Sequence, residues 1–269
     1  MRLILSLIVI AVGWGAPALA CSAQSDCMLG TRSYRIALPE GYDPQHPVGA
    51  IVFAHGYRGS AAGVMRNISL RRVASDMGLA LIAADADGDG WILPHAPRHP
   101  EATGAVEFDY FTALVRDATS RFAIDGDRMM MTGFSAGGMM AWALACARPG
   151  LFAGFAPISG TYWRAPPADC AAPAASIVHI HGDDDPVVPL AGRPIGPTRQ
   201  GDVAQSLAMY RGFGDFGAAR ATTSGDLRCD IRNNAPGDVL EFCLFAGGHS
   251  FRSEFVRFAW GRFRAAGQL

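Results

Sequence analysis

The sequence predicts an α/β fold, a mostly parallel central sheet flanked by helices on both faces. Three observations predict it. Apolar runs of strand length alternate with stretches of helical spacing along the chain, the pattern that builds a parallel sheet through crossover helices. Residues 50–54 and 79–84 are continuous apolar runs, as expected of strands buried on both faces. Midway, Gly133-Phe134-Ser135-Ala136-Gly137 joins an apolar run (residues 128–132) to a helical pattern (residues 136–147). The small residues of that strand–turn–helix junction allow a strained backbone to cross itself closely.

Residues 31–38 alternate polar and apolar and read as an edge strand. After the buried run at 50–54, residues 62–77 read as one helix with a basic face, and residues 79–84 as the next strand. Val106, Tyr110, Leu114 and Val115 share one side of a helix over residues 106–122. Beyond the junction and its helix, residues 152–158 and 176–180 are further strands, and residues 203–210 a helix. Residues 239–245 form a last strand and 251–263 a last helix. Residues 86–104, rich in Asp, Gly, Pro and His, make a long loop at the carboxyl end of a strand. That edge is where α/β sheets bind ligands. Whether this loop acts as a lid is open at this level.

The 269 residues suffice for one domain over residues 21–269. A net charge of −1 gives no reason to expect nucleic acid or an anionic membrane as partner. The chain has no lysine, so a Ser–Lys dyad and a lysine Schiff base are excluded. Residues 1–20 read as an export signal: Arg2, then an apolar stretch, then Ala18-Leu19-Ala20. The stretch is too short to span a membrane. The expected location is secreted or periplasmic. Cleavage leaves Cys21 first, so lipoprotein anchoring there is the rival expectation.

Six cysteines in an exported chain imply disulfides and allow 15 pairings. The expected set is Cys21–Cys27, Cys146–Cys170 and Cys229–Cys243, the last flanking a hairpin. The alternative ties Cys21 or Cys27 to the body of the protein.

A serine hydroxyl becomes a nucleophile when a base takes its proton, and the base needs a carboxylate to orient it. The chain order serine, acid, histidine that suits this geometry is met by Ser135, Asp185 and His249. Asp185 follows a buried strand in His181-Gly182-Asp183-Asp184-Asp185-Pro186, where spacing alone leaves the neighbouring aspartates open, Asp183 first among them. His249 lies in Gly247-Gly248-His249, between the last strand and the last helix. His46, His55, His95 and His99 precede the serine, and His179 and His181 precede the acid, so they fit this order worse. An oxyanion requires preorganised donors. The candidates are the backbone N–H groups of Ala136 and of Tyr57 in His55-Gly56-Tyr57. Trp91, Tyr162 and Trp163 lie in loops after strands and are candidate substrate-binding residues. Asp85-Ala86-Asp87-Gly88-Asp89-Gly90 starts like a calcium loop, but its twelfth position is Ala96 where a bidentate Glu is required. No Cys or His spacing suggests zinc, so no metal site is expected.

With these residues quoted, residues 34–260 resemble the exported polyhydroxybutyrate depolymerase and feruloyl-esterase-like branch of the α/β-hydrolases. The landmarks are His55-Gly56-Tyr57, Gly133-Phe134-Ser135-Ala136-Gly137-Gly138, Asp185-Pro186-Val187-Val188-Pro189 and Gly247-Gly248-His249. The resemblance implies an α/β-hydrolase fold and selects Asp185 as the acid. It implies a serine carboxylic-ester hydrolase, free of cofactors, that cleaves hydroxyalkanoate oligomers or related small esters. A feruloyl or acetylxylan esterase is the alternative, and a serine peptidase or a non-catalytic binding protein are more distant ones. Many members of that branch carry Cys where this chain has Tyr57, so any disulfide at that position is absent. Oligomeric state is not legible.

Overall fold

Where the chain alternates runs of apolar residues with amphipathic stretches, it forms strands and helices in that order. The computed structural model describes residues 21–269; the expected export signal lies outside the described residues. The strands and helices in chain order are β1 (Cys27–Leu29), β2 (Arg32–Ala37), β3 (Val48–Ala54), α1 (Ala61–Arg66), α2 (Ile68–Asp76), β4 (Ala80–Ala84) and α3 (Ala105–Arg121). Then come β5 (Ile124–Phe134), α4 (Ala136–Ala147), β6 (Gly154–Ile158), β7 (Ile177–Gly182), β8 (Pro194–Ile195) and β9 (Thr198–Arg199). The last are α5 (Val203–Phe213), β10 (Arg220–Ser224), β11 (Leu227–Asn233), β12 (Val239–Phe245) and α6 (Ser253–Ala265).

Ten strands form one sheet in the order β1-β2-β4-β3-β5-β6-β7-β12-β11-β10. The run from β4 to β12 is parallel throughout, and antiparallel strands flank it on both sides. Strand side chains alternate between faces, and β3 does so fully buried: Ala50, Val52 and Ala54 pack with α3 and α4, Ile51 and Phe53 with α1, α2 and α6. Helices therefore cover both faces. Among the described residues no helix is long and apolar enough to cross a membrane.

Three details depart from the sequence expectation. The helix expected over residues 62–77 is two, because Asn67 leaves helical geometry and its side chain accepts the Leu70 N–H at 3.0 Å, starting α2 afresh. The junction strand is longer than its apolar run: β5 begins at Ile124. β10 and β11 extend the sheet: β10 is polar and largely exposed, and β11 buries only Leu227 and Cys229, so both carry little hydrophobic signal.

All three expected disulfides are present. Cys229 and Cys243 are direct register partners in β11 and β12. The Cys21 sulfur is bonded to Cys27.

Candidate active site

The carboxyl ends of the parallel strands bring the candidate residues to one edge. β5 ends at Phe134 and Ser135 follows; Asp185 follows β7, and His249 follows β12. Ser135 has φ of 59° and ψ of −118°, a conformation L-residues avoid. The junction tolerates it because its neighbours lack side chains: a Cβ on Gly133 or Gly137 would collide with the Ala54 carbonyl. Ser135 sits at the start of α4, yet its hydroxyl does not cap the helix. The side chain instead lines a cleft of about 410 Å³.

His249 Nδ1 lies 2.7 Å from Asp185 Oδ2. A carboxylate accepts, so Nδ1 carries the proton and Nε2 is left as the acceptor. The imidazole packs on Phe134, the residue before Ser135, with ring centroids 4.6 Å apart. Asp185 is buried, and its Oδ1 accepts from the Val187 and Val188 N–H groups, each at 2.8 Å. Burial pushes the Asp185 carboxyl up, but the His181, His249, Val188 and Val187 donors outweigh it and hold it well below the usual carboxylate range. The Asp185 loop and the His249 loop are also joined by backbone: the Asp184 N–H donates to the Gly247 carbonyl at 3.0 Å.

Asp183 is placed differently. It is exposed, and its oxygens take the Arg228 guanidinium at 2.7 Å and the Gly247 N–H at 3.0 Å. It braces the histidine loop and makes no hydrogen bond or ion pair with the imidazole among the described residues.

Two histidines passed over in the sequence stand behind the acid. The Trp142 indole N–H, from α4, donates to His179 Nδ1 at 2.8 Å. His179 Nε2 lies 2.8 Å from His181 Nδ1, and His181 Nε2 lies 2.8 Å from the Val188 carbonyl and 3.5 Å from Asp185 Oδ2. Indole can only donate, so every proton in this chain points toward the acid loop. Burial, then the neighbouring His181, holds the His179 imidazole well below its usual range. The legible signal was spacing: two histidines two apart in a strand share one face.

The candidate oxyanion donors lie in the same cleft wall. Tyr57 and Ala136 both line the cleft. Tyr57 N–H donates to no carbonyl among the described residues, and Ala136 opens α4, where a helix N–H has no partner within the helix. His55 sets this loop: its Nδ1 donates to the Gly56 carbonyl at 2.8 Å, and its Nε2 accepts the Ala86 N–H at 3.1 Å.

Of the candidate substrate-binding residues, Trp91 and Trp163 line the cleft with Ser135. Trp91 is nonetheless buried, its indole N–H on the His55 carbonyl at 2.9 Å. Tyr162 lies instead in a neighbouring cavity beside Phe108 and Ala143, its hydroxyl on the Trp142 carbonyl at 3.1 Å. The loop over residues 86–104 is pinned rather than loose. The Arg58 N–H donates to the Asp89 carbonyl at 2.7 Å, Arg98 bridges the Asp89 carboxylate and the Tyr57 hydroxyl, and Ile92 N–H is held by Glu107 at 2.9 Å. Arg193 and Gln200, unremarked in the sequence, also line the cleft.

Cys229, Glu241 and Cys243 converge closely enough to suggest a metal site, but both sulfurs are committed to one disulfide.

Comparison with known proteins finds esterases and the same fold. Residues 92–194 match the phospholipase/carboxylesterase family model. The chain is 33% identical to a putative esterase, NocK, of Nocardia uniformis over 175 residues, 62% of this chain and 49% of that protein. It thus spans about half the length of that relative. It is 27% identical to feruloyl esterase C of Emericella nidulans over 247 residues, 87% of this chain and 84% of that one. An acetyl xylan esterase from Aspergillus awamori superposes with a TM-score of 0.65 at 13% identity, covering 91% of this chain and 97% of its own.

Proposed function

We propose that this chain, which has the α/β-hydrolase fold, is an extracellular serine carboxylic-ester hydrolase of the feruloyl- or acetylxylan-esterase kind. The observation that carries the reading is the Asp185–His249 pair at 2.7 Å, with its imidazole packed on the residue before Ser135. In this reading Ser135 attacks the ester carbonyl while His249 Nε2 takes its proton. Asp185 holds the tautomer and stabilises the imidazolium. The Ala136 and Tyr57 N–H groups receive the oxyanion, each donor contributing about 2.7–4 kcal/mol to the transition state. His249 returns the proton to the leaving alcohol, and water activated by the same nitrogen releases the acyl group.

The feruloyl and acetylxylan esterases among the similar proteins support this choice of ester over a polyhydroxybutyrate oligomer. The disulfides support an oxidising location outside the cytoplasm. The experiment is hydrolysis of p-nitrophenyl acetate, methyl ferulate and a hydroxybutyrate trimer, with mass mapping of a serine-directed phosphonate. Activity on the first two, with the label on Ser135 and loss of turnover in S135A, is expected. Full activity in S135A would overturn the assignment, and a dominant rate on the trimer would return the depolymerase reading.

A further inference from the structure

Two residues of the cleft lining, Arg193 and Gln200, carry side-chain donors that the hydrogen bonds among the described residues do not use up. Arg193 precedes the short β8–β9 hairpin, and Gln200 follows it. The hairpin is tied to the loop over residues 86–104 by the Thr198 hydroxyl on the His95 carbonyl at 2.9 Å. Arg193 Nε donates to the Val187 carbonyl at 2.9 Å and faces Gln200 Oε1 at 3.3 Å. A guanidinium is donor-only, so the contact fixes which end of the amide is oxygen. The Gln200 amide nitrogen is therefore left as a second donor. Gln200 is 5% exposed and lines the cleft, and its nitrogen meets no acceptor among the described residues. Arg193 also makes no ion pair among them.

The other charges of the cleft do not neutralise Arg193. Asp89 is taken by Arg98 at 2.9 Å and Arg58 at 3.6 Å. Asp87 is exposed, where water and salt screen it. The remaining lining includes Trp91, Leu93, Met139, Trp163, Val187 and Ile195. A guanidinium at the edge of so apolar a cleft is best compensated by a bound anion, and its planar fork matches a carboxylate.

We propose that Arg193 and Gln200 form a carboxylate subsite, so that an ester bearing a free carboxylate remote from the scissile bond is favoured over the same ester with that carboxylate neutralised. Hemiesters of dicarboxylic acids belong to this class. The inference rests on the ester-hydrolase reading.

Mono-p-nitrophenyl adipate and its methyl ester differ only in that carboxylate. The wild-type enzyme is expected to favour the hemiester in kcat/KM, with a KM that rises with ionic strength for the hemiester alone. R193Q is expected to lower the hemiester-to-methyl-ester ratio about tenfold or more, as loss of a charged hydrogen bond implies. R193K is expected to recover part of it. Arg193 also touches the acid loop through Val187, so a purely structural role would lower both rates together and leave the ratio intact. An unchanged ratio overturns the subsite while the esterase reading stands. If R193Q does not fold, a wild-type enzyme without preference for the hemiester overturns it equally. Failure of the wild type on both esters overturns the function reading itself.

Discussion

His179 Nε2 lies 2.8 Å from His181 Nδ1, with the two ring planes within 4° of parallel and both side chains fully buried. The pair connects α4, which starts at the candidate nucleophile, to the loop of the candidate acid. Its direction is set at the far end by an indole that can only donate. His181 thereby presents an N–H to the Val188 carbonyl and Asp185.

Replacing His181 removes that support without touching substrate. H181A is expected to lower kcat about tenfold, the equivalent of one hydrogen bond, with KM little changed. The acid limb of the kcat/KM profile should move to higher pH, because Asp185 loses a donor that competes with His249 for its charge. A profile that keeps its position would reduce His181 to a packing residue.

The two aspartates separate by partner. D185N should cost about 10⁴ in kcat, since an amide can present its N–H to the ring and favour the wrong tautomer. D183N breaks an exposed pair with Arg228 at 2.7 Å, which solvent screens, and should leave kcat within a few-fold. Steady-state rates of the two variants decide it; the reverse order would move the acid to Asp183.

Ser135 stores strain in its backbone. S135A keeps the side-chain carbon and the strain, whereas S135G relieves it. Both should abolish turnover, but S135G should be the more stable by about 1 kcal/mol. Urea midpoints compare them directly. Equal midpoints would mean that the loss of backbone entropy in glycine offsets the relief.

Glu241 is fully buried in β12, 3.0 Å from Arg262, yet neither carboxylate oxygen has a well-formed hydrogen bond. Burial pushes its carboxyl up, against the pull of Arg262. A folded-state value above the unfolded one means that its stability contribution is fully present below the unfolded value and lost as pH rises through the folded one. E241Q should therefore raise Tm at pH 7 and lose that advantage at pH 4 and below. A gain of a few degrees corresponds to about 1 kcal/mol in a chain of this size. A lower Tm at pH 7 would show that the Arg262 pairing outweighs burial.

The sequence by itself determined the alternation of strands and helices, the junction at Ser135 and the order of the three candidate residues. These follow from periodicity and from small residues in a short window, which act within a few positions. It also indicated the cysteine pairs, because flanking positions in hairpins and loops come close without long-range information. Spacing alone left the aspartates open and the resemblance pointed to Asp185; the contact itself appears only in the tertiary structure, since residues 64 apart in sequence become neighbours through sheet order alone. The same holds for the turn of Tyr162 away from the cleft, the His179–His181 chain, and the Arg193–Gln200 pair. Each depends on where loops from different strands converge at the carboxyl edge. That convergence is a property of packing and register, which no single stretch of chain encodes.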